Sequence, residues 1–367
     1  MTGAAERLAG MRVCIVAGSG GVGKTTASAA LALGLAAAGQ RVAVVTIDPA
    51  RRLAESLGLE DLGNDPRRVS NELLSSHGVE MQGELWAMML DPKATFDDLI
   101  TRLSPDARTR EDVLGNRIYQ QLSSAVAGSQ EFTAVAKLYD LYHEGGFDVL
   151  VLDTPPSRNA LDFLDAPDRL TDFFEGRALK VLLVPTGIAA RLMSRGTAVV
   201  FAILKRLTGV DLMDDIAVFF RALSGLMDGF KERAAGVKAL LADPATTFLI
   251  VTSPEREPVA EAIFFHGKLR EARMAFGGLI VNRVNVAGDE RSPESIAAEL
   301  RDEGMAEPLA AKVAQSAADL QLLAARDAAS IERLKQELDE PDPIVVARLD
   351  GEVQDIDGLL ALRDALM

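Results

Sequence analysis

Residues 13–26 read VCIVAGSGGVGKTT, and this stretch decides the fold of the chain. A β-branched apolar run comes first, a glycine-rich loop follows, and Lys24 and Thr25 open an amphipathic segment over 27–38. This is the order of a P-loop, GxxxxGK[ST], set between a buried strand and a helix. The pattern predicts a site for the phosphates of a nucleoside triphosphate, ATP or ADP, with Mg²⁺.

The residues of the loop have separate predicted roles. Backbone N–H groups cradle the phosphates, Lys24 reaches the β- and γ-phosphates, and the Thr25 hydroxyl holds Mg²⁺. Glycines let the backbone turn tightly and approach an anion without a Cβ in the way. The predicted nucleotide-binding residues of this stretch are Gly20, Gly21, Val22, Gly23, Lys24, Thr25 and Thr26.

Short apolar runs recur along the chain and are separated by segments of helix length. Runs of four to six such residues with helical connections are typical of parallel strands buried on both faces. The runs lie at 13–17, 42–47, 85–90, 149–152, 248–252, 279–284 and 344–347. We therefore expect an α/β fold, a P-loop NTPase with a doubly wound, mostly parallel sheet flanked by helices.

Two connections are too long for a simple crossover. Residues 92–146 and 160–246 hold helical patterns, so we expect one domain over 1–367 with an inserted helical subdomain. The second segment carries half of the chain's 14 phenylalanines. Its apolar surface suits either a core or dimer interface, or a groove for an apolar client helix. The phenylalanines are Phe163, Phe173, Phe174, Phe201, Phe219, Phe220 and Phe230, and Met193, Met213 and Met227 accompany them.

Two aspartates end apolar runs where a P-loop enzyme needs carboxylates. Asp153 closes VLVLD, the Walker B pattern that brings a carboxylate to the shell of Mg²⁺. Asp48 closes VAVVTID, and the following Pro49 turns the chain there. This position suits a residue that orients or deprotonates the attacking water. We expect Asp48 and Lys24 to be catalytic, and Thr25 and Asp153 to hold the metal, the latter through water.

Composition restricts the function classes. The chain has 367 residues and a net charge of −15, which disfavours nucleic acid as a partner. Cys14 is the only cysteine, so no disulfide or cysteine metal cage forms within one chain. The first residues, MTGAAERLAGMR, lack the apolar core of a signal peptide, and no apolar run is long enough to span a membrane. These observations predict a cytoplasmic protein without a transmembrane segment.

Four motifs in order, GSGGVGKTT, DPARRLAESLG, DTPPSRNALDFLDAP and VNRV, resemble the ArsA family of ATPases. That family includes the arsenite-pump ATPase and the eukaryotic factor that targets tail-anchored proteins to membranes. The stretches DPARRLA and DTPPSRNALDFLDAP are most similar to those of single-domain, actinobacterial-type members. The resemblance implies a dimeric ATPase, as a homodimer or paired with a homologous subunit, whose nucleotide state moves its helical subdomains around an apolar protein or membrane-related client.

The resemblance also implies residue roles. Asp48 corresponds to the switch I aspartate that activates water, and Asp153 to the switch II aspartate near Mg²⁺. Residues 154–159 correspond to the segment whose position reports the nucleotide. Asn282, in VNRV, corresponds to the asparagine that reads adenine, and Arg283 borders the base.

The chain departs from the family pattern at three places. Ser19 stands where the family has a lysine that reaches the partner's nucleotide, so slow hydrolysis or a lysine-bearing partner is implied. The family's zinc cysteines and arsenite ligands are absent, and switch II reads DTPPSRNA instead of DTAPTGHT. Three alternatives stay open: a catalytically weak nucleotide-binding subunit, a partition-type ATPase, and a small-molecule kinase.

Overall fold

The computed structural model describes residues 3–47, 52–117, 119–120, 130–154, 225–288, 291–349, 351, 353 and 355–367. The chain divides into two compact units, each made of more than one segment. The first unit comprises Met1–Met89, Gly146–Ala160 and Pro244–Met367, and the second comprises Leu90–Gly145 and Leu161–Asp243. Within the described residues, no helix has both the length and the apolarity needed to cross a lipid bilayer.

The first unit is built on an eight-stranded sheet. Its strands are β1 (Val13–Ala17), β2 (Arg41–Thr46), β3 (Arg67–Arg68), β4 (Glu84–Met89), β5 (Val149–Asp153), β6 (Thr246–Thr252), β7 (Phe276–Val284) and β8 (Ile344–Ala347). All seven predicted strands are present, and the doubly wound, mostly parallel sheet is confirmed. Strand β3 was not predicted. It pairs antiparallel with β4 at the edge of the sheet. Both of its residues are exposed arginines, so this strand has no apolar run by which it could be predicted.

The strand order is β3-β4-β2-β5-β1-β6-β7-β8. β1 lies in the middle, between β5 and β6, and all three run parallel. The chain moves from β1 towards β2 on one side and later towards β7 on the other. In such sheets ligands bind at the carboxyl ends of the strands near the point where the order reverses. The end of β1 is therefore the expected position of a binding site.

Helices cover the sheet of the first unit. They are α1 (Ala4–Arg7), α2 (Lys24–Ala37), α3 (Arg52–Ser56), α4 (Asn71–Ser76), α9 (Arg256–Glu271), α10 (Pro293–Asp302), α11 (Glu307–Leu338) and α12 (Ile356–Leu366). α2 is almost entirely buried, and it packs against β2 and α12. Its alanine-rich sequence suits this position, because small side chains let a helix lie close to the sheet.

The main core forms between one face of the sheet and the helices α2 and α12. Alternate residues of the central strands contribute to it, such as Cys14 and Val16 of β1 and Val149 and Val151 of β5. Both faces of β1 are nevertheless buried, so its sequence is continuously apolar rather than alternating. This burial holds the start of the P-loop firmly in place.

The second unit is helical in its described part. It contains α5 (Pro92–Leu103), α6 (Ala107–Leu114), α7 (Gln130–Glu144) and α8 (Met227–Leu241). Phe230 of α8 is buried and stacks on Phe96 of α5, with ring centroids 5.7 Å apart. Phe230 is thus a core residue. The other six phenylalanines of the predicted apolar segment lie outside the described residues.

Candidate functional site

The glycine-rich loop joins β1 to α2 through a backbone that other residues cannot easily adopt. Gly23 has φ +95° and caps α2, and a Cβ there would lie 2.5 Å from Asn282 Nδ2. Gly18 has φ +153°, and a Cβ there would lie 2.0 Å from the Val251 carbonyl oxygen of β6. The loop therefore depends on glycine for both its conformation and its close packing.

Lys24, the first residue of α2, is buried, and its Nζ donates a hydrogen bond to the Ser19 carbonyl oxygen at 2.8 Å. The ammonium group thus curls back over the loop instead of extending into solvent. A buried cation is costly unless negative or polar groups surround it. At a helix N-terminus, where backbone N–H groups also point outward, this arrangement favours an anion.

A carboxylate and two hydroxyl groups meet beside the loop. The register of β5 places Asp153 opposite Val16 of β1 and Thr46 of β2. Asp153 Oδ2 accepts hydrogen bonds from Thr25 Oγ1 at 2.6 Å and from Thr46 Oγ1 at 2.8 Å. The carboxyl group is almost completely buried. The Thr25 hydroxyl and the Asp153 carboxylate are hard oxygen ligands of the kind that Mg²⁺ prefers, so these residues fit that ion.

The end of β7 contacts the loop directly. Asn282 Nδ2 donates to the Val22 carbonyl oxygen at 2.9 Å, and Asn282 Oδ1 accepts from the backbone N–H of Arg283, also at 2.9 Å. Arg283 has φ +61°, an uncommon conformation for a residue with a side chain. Its exposed side chain lines the same cavity as Asn282. Asn282 therefore fixes the position of the P-loop relative to the end of β7.

A cavity of about 600 Å³ opens over these residues. Its lining includes most of the predicted nucleotide-binding residues, although Gly20 and Val22 are not among them. Four cationic side chains and one acidic side chain line it, in a chain whose net charge is −15. The cavity is therefore suited to an anionic ligand. The lining residues are Gly21, Gly23, Lys24, Thr25, Thr26, Arg52, Glu55, Thr154, Asn282, Arg283, Arg348, Leu349, Gly351, Val353 and Leu362.

Sequence reasoning missed one side of this cavity. Arg52 and Glu55 belong to α3, and Arg348 and Leu349 follow β8. Arg348 directly follows β8, which was predicted as a strand, but its position beside the cavity depends on β8 joining the sheet next to β7. Arg348 N–H also donates to the Val284 carbonyl oxygen at 2.9 Å, which holds the segment after β8 beside the end of β7.

Asp48 and residues 155–159 lie outside the described residues, so the structure does not test their roles. Thr154 is described, and its hydroxyl donates to the Val16 carbonyl oxygen at 2.9 Å. Ser19 is buried, and its side-chain oxygen lacks a hydrogen-bond partner among the described residues.

A phosphate-binding loop between β1 and α2, with a Walker B aspartate at the end of β5, defines a P-loop NTPase. Residues 11–303 match the model of the anion-transporting ATPase family, ArsA ATPase. The chain belongs to this family.

Individual relatives agree with the family assignment. The chain is 29% identical over 263 residues to a putative arsenical pump-driving ATPase 1 of Aquifex aeolicus, covering 69% of this chain and 58% of that protein. It is 31% identical over 160 residues to the ATPase get3 of Aspergillus terreus, 43% of either protein. It is 29% identical over 245 residues to an uncharacterized protein of Streptomyces coelicolor, covering 66% of this chain and 55% of that one. The chain thus spans about half the length of these relatives.

Proposed function

We propose that the chain is a Mg²⁺-dependent ATPase that acts as a dimeric nucleotide switch. The observation that carries the proposal is the hydrogen-bonded pair of Thr25 and Asp153 beside a cationic cavity at a P-loop. A structural glycine-rich turn would need neither a buried carboxylate nor a buried lysine at this position. Both groups suit a ligand that brings phosphate oxygens and a divalent cation.

Each end of the site has a proposed role. Backbone N–H groups from Gly20 to Thr26 and the Lys24 ammonium bind the phosphates. Asn282 and Arg283 border the base. Arg52 and Arg348, on the other side of the cavity, neutralise further phosphate charge.

The metal and the water complete the proposed chemistry. Thr25 and Asp153 would hold Mg²⁺, the latter through water, and bound Mg²⁺ would neutralise charge on the phosphate oxygens. Asp48 orients the attacking water and accepts its proton. The support for Asp48 is its position in the sequence, two residues after Thr46, which ends β2 and contacts Asp153.

The proposed switch function and the proposed partner rest on the family to which the chain belongs. The relatives are named as a pump-driving ATPase and as get3, and we propose that this chain, too, couples ATP to the handling of a protein or membrane-related client in the cytoplasm. The helical second unit would carry that client. ATP held between two subunits would favour a closed dimer by binding it more tightly than the open one.

Steady-state ATP hydrolysis by the purified chain, with and without Mg²⁺, tests the proposal. We expect Lys24→Ala to abolish ATP binding, and Asp48→Asn to retain binding but to lose at least about a hundredfold in turnover. Lys268→Ala and Asp65→Asn are matched controls, since both side chains lie outside the cavity. Turnover that survives Lys24→Ala would refute the P-loop as the site, and turnover that survives Asp48→Asn would refute its role as the base.

A second candidate is a catalytically weak subunit that binds ATP but hydrolyses it slowly. The observation that favours it is Ser19, whose short, buried side chain cannot reach a neighbouring subunit's nucleotide. Tight ATP binding with negligible turnover would support this candidate. Ser19→Lys should then raise turnover, whereas Ser19→Ala should not. Rapid turnover by the unmodified chain alone would exclude it.

A further inference from the structure

The long helix α11 is covered differently along its two halves. It has 32 residues, and Asp327, Ile331, Leu334 and Leu338 of its second half are buried. In the first half only the face of Ala310 and Ala314 is covered, and α10 packs beside it there. The helix face that is buried at Asp327 is therefore exposed one to two turns before it, at Leu323 and Leu320.

An apolar seam runs along this uncovered face. It consists of Leu309, Val313, Ser316, Leu320 and Leu323, which we call the α11 seam. The spacing alternates between four and three residues, as in the a and d positions of a coiled coil. The four apolar side chains are exposed at 52%, 39%, 37% and 39% in chain order. Helix faces with this pattern are normally covered by another helix.

We propose that a second copy of this chain covers the α11 seam, with the two helices antiparallel. The charges beside the seam select this occupant and its register. Lys312 and Asp319 flank the seam on its exposed side, and Ala310 and Ala317 flank it on the other. In antiparallel pairs equivalent flanking positions face each other. If Val313 faces Ser316 of the second copy, Lys312 faces Asp319 of that copy, and symmetry makes this contact twice.

Other arrangements lack this complementarity. If one helix moves by seven residues along the other, Lys312 faces Lys312 of the second copy. If it moves by seven residues the other way, Asp319 faces Asp319 of that copy and Lys312 faces its Arg326. Parallel pairing places Lys312 against Ala317. Like charges that face each other are destabilising, so one register of one orientation is favoured. Such an interface is isologous, and the two α10 helices would complete a four-helix arrangement.

The seam is short, so we expect weak association. Its five residues span about 20 Å of helix at 1.5 Å per residue. Two such helices bury less than the roughly 1,200 Å² of a standard interface. A dissociation constant in the micromolar range follows, in the absence of nucleotide.

Sedimentation of the full chain without nucleotide, from about 1 to 200 µM, tests the proposal. We expect Lys312→Asp or Asp319→Lys to raise the dissociation constant about tenfold, because each replaces two attractions by two repulsions. The double variant K312D/D319K should restore the original constant. Lys335→Glu, a charge reversal on the same helix outside the seam, is the matched control and should change nothing. A monomer at every concentration, or a double variant as weak as the single ones, would overturn the proposal.

Cross-linking tests the orientation independently. Burial raises the pKa of the Cys14 thiol to about 12, so engineered cysteines would be the reactive thiols. In the proposed register a mixture of Val313→Cys and Ser316→Cys chains forms a disulfide-linked dimer on mild oxidation, and either variant alone forms far less. Efficient linkage of each single variant to itself would indicate parallel pairing, and no linkage in the mixture would refute the contact. Neither result depends on ATP hydrolysis, so the proposed function stands or fails separately.

Discussion

Asp327 of α11 offers a sharp test of the contacts behind the site. Its carboxylate is completely buried. Oδ2 accepts from the backbone N–H of Asn285 at 2.9 Å and from Asn285 Nδ2 at 2.7 Å. Oδ1 accepts from Arg326 Nε at 3.1 Å and from an Arg326 terminal nitrogen at 2.8 Å. The residue therefore ties the segment after β7 to α11.

Asp327→Ala removes all four hydrogen bonds. The two Asn285 donors lose a buried acceptor, at a cost of about 1–2 kcal/mol each, whereas the half-exposed Arg326 regains water. We expect the free energy of unfolding to fall by about 3 kcal/mol. The melting temperature should then fall by roughly 6–12 °C, at about 2–4 °C per kcal/mol. Circular dichroism at a low protein concentration measures the change.

Asp364→Ala is the matched control. Asp364 also accepts from the preceding arginine, Arg363, at 2.8 and 2.6 Å, but its side chain is 67% exposed. We expect its melting temperature to change by less than about 2 °C, since surface substitutions are usually within about 0.5 kcal/mol. Equal shifts for the two alanine variants would refute the argument that burial gives Asp327 its importance.

The pH dependence follows from the same contacts. Burial alone would raise the pKa of Asp327, but the hydrogen bonds from Asn285 and Arg326 outweigh it and hold the pKa below its ordinary value. A carboxyl group with a depressed folded-state pKa contributes stability above its unfolded pKa of about 3.9, and this is lost as the pH falls through the folded value. The difference in unfolding free energy between the natural chain and Asp327→Asn should be largest at pH 7 and should shrink below about pH 4. A difference that widens on acidification would contradict this.

Three further predictions concern the site and the core. Gly23→Ala should weaken binding of a fluorescent ATP analogue about tenfold in a titration, because its φ of +95° strains alanine and its Cβ would displace Asn282. Thr46→Val should lower the unfolding free energy by about 1 kcal/mol in urea, since it removes a donor to buried Asp153 and keeps the side-chain shape. Cys14 should react with a thiol reagent at pH 8 only after denaturation; rapid reaction of the native chain would contradict its burial.

The strands were predictable because burial on both faces leaves a continuous apolar run. The runs at 13–17 and 344–347 coincide with β1 and β8. Other strands begin one to three residues earlier than predicted, at Arg41, Glu84, Thr246 and Phe276. Their first residues are polar, or a pair of glycines interrupts the run, so hydrophobicity alone does not mark where the hydrogen-bonded ladder starts. The edge strand β3 had no apolar signal at all.

The P-loop side of the site was predictable, and the opposite side was not. A P-loop has a local signature because its glycines, lysine and threonine are consecutive. Arg348 and Leu349 lie more than 300 residues further on and line the cavity only because β8 joins the same sheet edge. Such a contribution depends on strand order, which the local sequence does not encode. One side of the candidate site is thus formed by a local sequence motif, and the other side is formed by residues that the order of the strands brings to it.

Asn282 shows how the two halves depend on each other. The family resemblance assigns it to the base, but the structure shows a contact that needs no ligand, the hydrogen bond to the Val22 carbonyl oxygen. This amide occupies the space that a Cβ at Gly23 would need. The glycine is therefore required both by its own φ and by a side chain from β7. Since Asp327 holds Asn285, three residues after Asn282, the loop geometry rests on packing contacts as far away as α11.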